Sequence, residues 1–361
     1  MKILYLINYA GSGGSERYVE LLARYYQGRK ADCGLCYNID GPLVEKMQSL
    51  GIPVYQLPMK NILDLAAAKK LAKIVKDGNY DVIHAQYPRE NYIAILSKLF
   101  GCKARIVFTS HLISEQPPVW RMLNRIFTPH DHAVLTVCTY GQAVLERGGV
   151  AKDKIRIVFN GVDAPAAPQK DRSVLREFGI GDDEKVITIL TRFSEEKGVP
   201  FLLRSIAKLK AQTAVPFRLL LVGTGPDFDR DKALIPELGI GDKVVLTGFR
   251  TDTARLLAAS DIYLNSSSSE AMSFAILEAL GAGLPLVLTD VGGNPELVNT
   301  GGICGLLAPY GDEEAYAGAM QQLLEDDGLR SRFSAAARKK AEQEFSIQNM
   351  LDELFEIYRT V

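Results

Sequence analysis

Two glycine turns come shortly after apolar segments of this sequence. Gly13 and Gly14 follow KILYLIN, and Gly223 follows FRLLLV. Glycine lets backbone amides approach a phosphate closely, and the N-terminus of a following helix adds N–H donors and a favourable dipole. The Gly13–Gly14 loop lacks the third glycine and the downstream acid of a dinucleotide fingerprint. Phosphate binding and an ordinary ligand-free turn therefore both stay open for this loop.

Two cations, Arg192 and Lys197, stand five residues apart in a loop that opens a helix. Such a pair suits a diphosphate, because arginine presents a planar fork of donors and lysine a compact point charge. The alternative is a pair of solvated surface cations beside Glu195 and Glu196. Taken alone, this segment favours that alternative.

The segment Asn265–Glu278 has four consecutive serines directly after an apolar strand. Glu270 precedes a helix, and Glu278 stands within it among apolar residues. A buried carboxylate is costly unless it accepts hydrogen bonds, and a ribose diol is a suitable donor. The alternative for Glu278 is a place on an exposed stripe, which its apolar neighbours disfavour.

His111 is one of four histidines and directly follows the apolar segment ARIVFTS. A single histidine is more often a structural hydrogen-bonding group than a catalytic one. Its place at a strand end, where ligands bind in α/β proteins, keeps a catalytic role open beside the structural one.

These residues all lie in a chain that alternates apolar strands with amphipathic helices. The strands are continuous apolar runs, as expected for parallel strands covered on both faces. The rhythm breaks at residues 164–173, a proline- and alanine-rich stretch, and then restarts. The pattern predicts two doubly wound, Rossmann-like parallel sheets facing a cleft, with ligands beyond the carboxyl ends of the strands.

Composition excludes several other classes of protein. The 361 residues are 47% hydrophobic and 24% charged, with 42 basic against 43 acidic side chains and a net charge of −1. These values argue against a disordered chain and against a general nucleic-acid binder. Every apolar run is too short or too interrupted to span a bilayer. The five cysteines, including Cys33 and Cys36 in a predicted buried strand, are typical of reduced thiols in a cytoplasm.

In combination, these motifs resemble those of the retaining glycosyltransferases of the GT-B fold, and more narrowly the group 1 or GT4 family. Glu270 and Glu278 match the E-x7-E motif, Arg192 and Lys197 the R-x4-K pair, and Gly13-Gly14-Ser-Glu16 the GGxE loop. NGVD at 160–163, the glycine turn at 223–226, Gly248-Phe249 and the glycine turn at 292–296 follow in order. The resemblance covers nearly the whole chain.

The resemblance implies a role for each matching residue. Arg192 and Lys197 would hold the donor diphosphate, Glu278 the ribose, and Glu270 the donor sugar. His111 would lie beside the anomeric carbon. The expected donor-binding residues are Gly13, Gly14, Gly223, Phe249, Ala271, Met272, Ser273, Phe274 and Glu278. The resemblance also implies an acceptor-binding domain at 1–165, a donor-binding domain at 174–345, and a C-terminal helix at 346–361 packed on the first domain.

The activity so implied is retaining transfer of a sugar, with UDP-sugars favoured, to a glycan or lipid-linked acceptor in cell-surface polysaccharide or glycolipid synthesis. Neither a cofactor nor a metal is expected, because cations and helix N-termini replace the metal in this family. Many members have Glu-Gly-Phe-Gly where this chain has Glu270-Ala-Met-Ser273, so the identity of the sugar stays open. The alternatives are another GT-B enzyme, such as a sugar-nucleotide epimerase or a phosphorylase, and a non-catalytic nucleotide-sugar-binding protein.

The segment 118–127 holds the only tryptophan, several apolar residues and two arginines. This composition suits an interfacial helix on an anionic membrane surface, and equally an ordinary packed helix with exposed arginines. We therefore expect a cytoplasmic protein, with peripheral association at the inner face of the membrane as a hypothesis.

Overall fold

The protein divides into two compact units in a computed structural model that describes residues 1–11, 13–111, 117–163 and 171–360. The first unit comprises Met1–Asn160 and Met350–Val361, and the second comprises Gly161–Asn349. Residues 164–170 of the predicted linker lie outside the described residues.

The first unit is built on a sheet of seven parallel strands in the order β3-β2-β1-β4-β5-β6-β7. The apolar side chains of its central strands are almost completely buried, as expected for a sheet covered on both faces. The strands are β1 (Lys2–Tyr9), β2 (Asp32–Ile39), β3 (Val54–Gln56), β4 (Val82–Ala85), β5 (Arg105–Ser110), β6 (Ala133–Thr136) and β7 (Ile155–Ile157).

The helices of this unit begin where local chemistry favours a helix start. Asp64 caps α3 by accepting from the Ala67 backbone N–H at 3.0 Å, and Pro88 occupies the first turn of α4. The helices are α1 (Gly14–Tyr26), α2 (Pro42–Ser49), α3 (Leu65–Gly78), α4 (Pro88–Ser97), α5 (Pro118–Phe127) and α6 (Thr139–Arg147).

The second unit repeats this plan with six parallel strands in the order β10-β9-β8-β11-β12-β13. The strands are β8 (Lys185–Leu190), β9 (Phe217–Val222), β10 (Val244–Gly248), β11 (Ile262–Asn265), β12 (Leu286–Thr289) and β13 (Gly305–Ala308). Leucine, isoleucine and phenylalanine side chains of α7 (Val199–Gln212) and of the central strands form its main apolar core. The predicted pair of doubly wound parallel sheets is confirmed.

The remaining helices complete the second unit and return the chain to the first. They are α8 (Phe228–Glu237), α9 (Thr253–Ala259), α10 (Phe274–Gly281), α11 (Asn294–Asn299), α12 (Glu313–Glu325), α13 (Asp327–Gln343) and α14 (Ile347–Thr360). Within the first unit, Tyr358 of α14 hydrogen-bonds to the buried His84 of β4, with 2.6 Å between its hydroxyl and Nδ1. This buried polar contact holds the last helix on the first sheet.

Strand order shows where each unit would bind a ligand. In the first sheet the chain runs from β1 outward to β2 and β3, then returns to add β4 on the other side of β1. In the second sheet β8 and β11 stand in the same relation. A doubly wound sheet binds ligands at such a switch point, beyond the carboxyl ends of the two strands. The polar residues after β1, β4, β8 and β11 are therefore the candidates.

Candidate active site

A lysine–glutamate pair marks the switch point of the second sheet. Lys197 follows β8 and Glu270 follows β11, and Lys197 Nζ donates to Glu270 Oε2 at 2.8 Å. The two side chains are 24% and 11% exposed. Because the low local dielectric strengthens the attraction between partly buried charges, this pair is better defined than a surface ion pair. The structure thus brings together two predicted residues that stand 73 positions apart in the chain.

The serine-rich loop after β11 fixes the orientation of this pair. Ser267 Oγ donates to Glu270 Oε2 at 3.1 Å, and Ser266 Oγ donates to the Lys197 carbonyl at 2.8 Å. The backbone N–H of Gly293 donates to the Glu270 carbonyl at 3.0 Å, which links the glycine turn after β12 to the same residue. Glu270 is therefore held by its own loop and by two neighbouring loops.

Arg192 pairs with a different carboxylate. Its Nη2 donates to Glu196 Oε1 at 2.8 Å, and its side chain is 65% exposed. Burial alone would raise the pKa of Glu196, but hydrogen bonds from Ser194 and Arg192 outweigh it and lower the pKa to about 2. Glu196 is thus anionic at physiological pH and neutralises Arg192. An incoming diphosphate would have to compete with it for the guanidinium.

The loop and helix after Glu270 carry five further predicted residues. Met272 and Phe274 are buried, whereas Ala271, Ser273 and Glu278 are half-buried. Glu278 lies in α10, whose first residue is Phe274. The interpretation of Glu278 as a partly shielded carboxylate, not an exposed stripe residue, agrees with this burial.

Gly223 and Phe249 follow β9 and β10. Gly223 has a φ of +135°, and a Cβ there would overlap the carbonyl oxygen of Thr191. Only glycine therefore permits this close packing of the β9 turn on the β8 turn. Phe249 is 72% exposed, and a large apolar ring with that exposure is suited to contact a ligand.

The glycine loop of the first unit leads into a polar cluster. A Cβ on Gly13 would lie 2.7 Å from Glu16 Oε2, so the absence of a side chain admits this carboxylate. Ser15 Oγ donates to the same oxygen at 2.9 Å and lies 2.6 Å from the hydroxyl of Tyr87. The cluster joins the start of α1 to the turn after β4, which is the switch point of the first sheet. Gly14 is the first residue of α1.

His111 lies on the adjacent strand end. Its Nε2 is 2.9 Å from Gln86 Oε1, and the Gln86 amide nitrogen donates to the His84 carbonyl at 3.2 Å. Because the side-chain oxygen of Gln86 faces the ring, Nε2 of His111 carries the hydrogen and donates it to that oxygen. Burial lowers the pKa of His111 to about 4, so the ring is neutral at physiological pH.

The structure adds three candidate residues to which the sequence analysis gave no role of their own. Gln86 and Tyr87 directly follow β4, and Asn294 begins α11 after β12. The buried Asn294 amide donates to the Thr289 carbonyl at 2.9 Å and to Asn265 Oδ1 at 3.2 Å. The rule that ligands bind beyond strand carboxyl ends could have identified all three.

The cysteines and potential metal ligands provide no further site within the described residues. Cys33 and Cys36 are buried in β2, and burial raises the pKa of each thiol to about 12. The interpretation of this C-x-x-C sequence as a buried strand is confirmed. In the described part of the chain, no three His, Cys, Asp or Glu side chains lie close enough together to hold a metal ion.

Comparison with known proteins identifies related sequences for both units. The model of group 1 glycosyl transferases matches residues 171–340, and that of glycosyltransferase family 4 matches residues 12–164. The N-acetyl-alpha-D-glucosaminyl L-malate synthase of Bacillus anthracis is 31% identical over 317 residues, which are 85% of this chain and 81% of that protein.

Solved structures share the complete fold. A glycosyltransferase from Rickettsia africae matches with a TM-score of 0.87 and 25% identity over 99% of this chain and 97% of that chain. HepE from Anabaena, determined in complex with UDP-glucose, matches with a TM-score of 0.85 and 22% identity over the full length of both chains. The second likeness concerns the fold alone.

Proposed function

This chain belongs to the group 1 glycosyltransferases of the GT-B fold, and from that membership we propose that it moves a sugar, with retention of configuration, from a UDP-sugar to a hydroxyl of a glycan or lipid-linked acceptor. The observation that carries the proposal is the Lys197–Glu270 pair at the switch point of the second sheet. The pair supports the proposal because a cation and a carboxylate beyond the carboxyl ends of the strands would suit a sugar diphosphate.

The donor half of the reaction follows from these charges. Arg192 and Lys197 would bind the diphosphate and stabilise the negative charge that develops as the anomeric C–O bond breaks. Fixed charges directed at such a developing charge are commonly the largest catalytic contribution. Glu278 would accept hydrogen bonds from the ribose, and Glu270 from the hydroxyls of the sugar. Because these two cations would serve the diphosphate, we propose that the reaction needs no metal and no cofactor.

The acceptor half would use the first unit. We propose that the acceptor hydroxyl attacks the anomeric carbon from the side that the diphosphate leaves. A new C–O bond forms, the old one breaks, and the hydroxyl proton passes to a diphosphate oxygen. His111 would lie beside the anomeric carbon as a neutral ring, in agreement with the burial that lowers its pKa to about 4. The Gly13–Gly14 loop would contact the phosphate and the sugar.

UDP is the nucleotide to test first, because the structurally similar Anabaena protein was determined with UDP-glucose. The experiment is calorimetric titration of UDP, GDP and ADP, followed by reaction of the corresponding sugar nucleotides with a panel of glycan acceptors. Binding of UDP and a product with unchanged anomeric configuration by NMR would support the proposal. An inverted anomeric centre would contradict it. Activity that EDTA abolishes and Mg²⁺ restores would refute metal independence.

The Bacillus anthracis relative is named as the synthase of an L-malate conjugate. A small hydroxy acid is therefore a second candidate acceptor beside a glycan or a lipid-linked sugar. L-malate belongs in the same acceptor panel.

The alternative functions have different products. An epimerase would convert the UDP-sugar without any acceptor, and a phosphorylase would need inorganic phosphate and a glycan. Incubation of donor alone, with analysis for an epimer, separates the first from a transferase. A non-catalytic binding protein would bind UDP, but it would not release UDP from the UDP-sugar in the presence of any acceptor.

The α5 helix carries an apolar face that we propose to rest on an anionic membrane. Val119, Met122 and Ile126 recur at intervals of three and four residues and are 54%, 57% and 55% exposed. Arg121 and Arg125 flank them and are exposed. We name these five residues the α5 outer face. Apolar side chains insert at the lipid interface, and each arginine adds about 1 kcal/mol of attraction to anionic lipid.

The opposite side of α5 is fixed to the protein. Trp120 stacks on Tyr92 with 5.9 Å between ring centroids, and the Tyr92 hydroxyl donates to Asn124 Oδ1 at 2.6 Å. No helix among the described residues has the length and apolar character to cross a bilayer. Contact through one helix face would give peripheral association of a cytoplasmic enzyme with the inner face of the membrane.

Co-sedimentation with vesicles tests this surface. Wild-type protein is expected to bind vesicles that contain phosphatidylglycerol and not vesicles of phosphatidylcholine alone. The M122S/I126S and R121Q/R125Q variants should each lose binding. The matched control is L99S, which removes an apolar side chain that is 72% exposed outside this face. Equal sedimentation of the wild type and the M122S/I126S variant would refute the proposal.

A further inference from the structure

Arg89 lies at the switch point of the first sheet, in a cluster that the proposed donor chemistry does not use. It is the second residue of α4, which follows β4. Its guanidinium donates through Nη2 to Asn8 Oδ1 at the end of β1. The same Asn8 oxygen accepts from Asn38 Nδ2 of β2 at 2.9 Å. Arg89 therefore stands where the carboxyl ends of β1, β2 and β4 meet.

The hydrogen-bond donors of Arg89 are unevenly used. Nε and Nη2 both donate to Glu90 Oε1, at 3.0 and 2.9 Å. Nη1 makes one contact that reaches hydrogen-bond criteria within the described residues, to the Met59 carbonyl at 3.5 Å. That distance is at the limit for a hydrogen bond. One edge of the guanidinium is thus bound firmly, and the other edge retains donor capacity, while the side chain is 25% exposed.

Glu90 shows that this orientation has an energetic cost. Its side chain is fully buried, and its Oε2 has no hydrogen-bond partner among the described residues. Burial raises the pKa of this carboxyl in spite of the adjacent Arg89. Buried ion pairs contribute little to stability compared with apolar residues of similar volume. A gain in stability therefore explains the Arg89–Glu90 pair poorly, whereas orientation of the guanidinium explains it well.

The turn between β4 and α4, just before Arg89, holds two residues of the proposed acceptor half. Gln86, in this turn, is hydrogen-bonded to His111, and Tyr87 is hydrogen-bonded to Ser15 beside the glycine loop. The Nη1 edge of Arg89, which retains donor capacity, thus lies at the switch point where the acceptor is proposed to bind. Arginine forms strong, directional hydrogen bonds with carboxylate and phosphate groups.

We propose that Arg89 binds an anionic group of the acceptor, a carboxylate or a phosphate, and that Glu90 is its positioning residue. This inference rests on the proposed function, because it concerns the acceptor of that reaction. It restricts the acceptor to a hydroxyl compound that carries a negative charge. The charge comes either from a small acid or from the phosphate of a carrier lipid.

Two matched pairs of acceptors test the inference and separate these sources. The first pair is L-malate and its neutral diamide. The second is N-acetylglucosamine on a short prenyl diphosphate and the same sugar as a neutral methyl glycoside. Release of UDP from the UDP-sugar and formation of product are measured for each. The anionic member of at least one pair is expected to be the better acceptor by about tenfold or more, as for a hydrogen bond to a charged group.

The variants are R89K, R89Q/E90Q and the control R29Q, an exposed arginine elsewhere in the first unit. The double variant removes both charges, so that Glu90 is not left buried without its partner. For the anionic acceptor, KM should rise about 10- to 100-fold in R89K and in R89Q/E90Q. Affinity for UDP, hydrolysis of the donor without acceptor and melting temperature should stay near wild type. R29Q should behave as wild type throughout.

The outcomes separate the inference from the function on which it rests. Equal use of charged and neutral acceptors, or an unchanged KM in R89Q/E90Q, overturns the inference while glycosyl transfer itself stands. A melting temperature that falls in R89Q/E90Q without a change in KM assigns the pair a structural role and also overturns it. Absence of transfer to every acceptor, with UDP bound, overturns the proposed function and this inference with it.

Discussion

Lys197 Nζ and Glu270 Oε2 lie 2.8 Å apart, although the two residues come from loops after different strands. β8 and β11 are neighbours in the sheet, so their carboxyl ends bring the lysine loop and the glutamate loop together. In this pair each charge neutralises the other. A sugar diphosphate would give Lys197 a phosphate partner and Glu270 the hydroxyls of the sugar, and this exchange underlies the first prediction.

Glu270→Gln should bind UDP nearly as the wild type does, while kcat falls. Its expected contacts are with the sugar ring, where geometry and charge change most during the reaction. Calorimetric titration of UDP beside steady-state kinetics measures both quantities. A loss of UDP affinity with unchanged kcat would reverse this assignment.

Glu278→Gln should show the opposite pattern. The ribose barely changes during the reaction, so loss of this contact weakens ground state and transition state alike, and KM should rise more than kcat falls. A hydrogen bond to a charged group contributes about 1.5–3 kcal/mol, which corresponds to roughly 10- to 100-fold weaker UDP binding. Titration of UDP into Glu278→Gln, with Glu270→Gln as the matched carboxylate control, checks the expectation. Wild-type affinity in Glu278→Gln would show that this carboxylate does not bind the ribose.

Arg192→Ala should lower kcat/KM by an amount equivalent to about 2–4 kcal/mol, as for other preorganised electrostatic groups. Arg192→Lys should not restore it, because one ammonium cannot reproduce a planar fork of donors. The measurement is kcat/KM for the donor at saturating acceptor. Arg255→Ala, which removes an exposed arginine of α9, serves as the control. Near-wild-type activity of Arg192→Lys would refute the requirement for a fork.

His111→Ala should leave UDP affinity nearly intact and lower kcat, because the ring is expected beside the anomeric carbon and away from the nucleotide. With a pKa of about 4, its protonation should not appear in the kcat profile between pH 6 and 8. The pH profiles of wild type and variant measured at saturating donor test both statements. A wild-type profile with an inflection near pH 6.5 that disappears in His111→Ala would contradict them.

His84 should make the folded protein less stable as the pH falls. Burial, with a smaller contribution from neighbouring His111, lowers the pKa of His84 to about 3. An unfolded histidine titrates near 6.5, so the unfolded state binds the proton first. The stabilisation that the folded protein gains from keeping His84 neutral is complete above pH 6.5 and is lost progressively down to pH 3. For His84 alone this loss is about 2 kcal/mol between pH 7 and pH 5.

Urea denaturation at pH 7 and pH 5 measures this effect. His84→Gln should be less stable at pH 7, because the hydrogen bonds to Thr109 and Tyr358 are disturbed. Its stability should nevertheless change less between the two pH values than that of the wild type. An equal loss of stability between pH 7 and pH 5 in both proteins would show that His84 does not contribute to the pH dependence.

The order of the elements and many candidate site residues could be predicted from the sequence. Continuous apolar runs predict strands covered on both faces, and helical periodicity between them predicts the parallel crossovers. A residue in the loop after such a strand lies near the carboxyl edge of the sheet, so Gly13, His111, Lys197 and Glu270 could be selected as candidates, and the family resemblance then implied their roles. These inferences depend only on short-range geometry, which a sequence window contains.

The partners of these residues were decided by tertiary structure. Lys197 with Glu270 and His111 with Gln86 join segments that follow different strands, and Arg89 at the start of α4 joins Asn8 at the end of β1. Each pairing depends on which strands become neighbours and on the direction of each side chain after its strand ends. Those properties arise from packing of the whole sheet and its helices, because hydrogen bonds between distant segments form only when the core has fixed their positions. A local window therefore predicts the residues at the edge of a sheet, whereas the complete fold determines which of them act together.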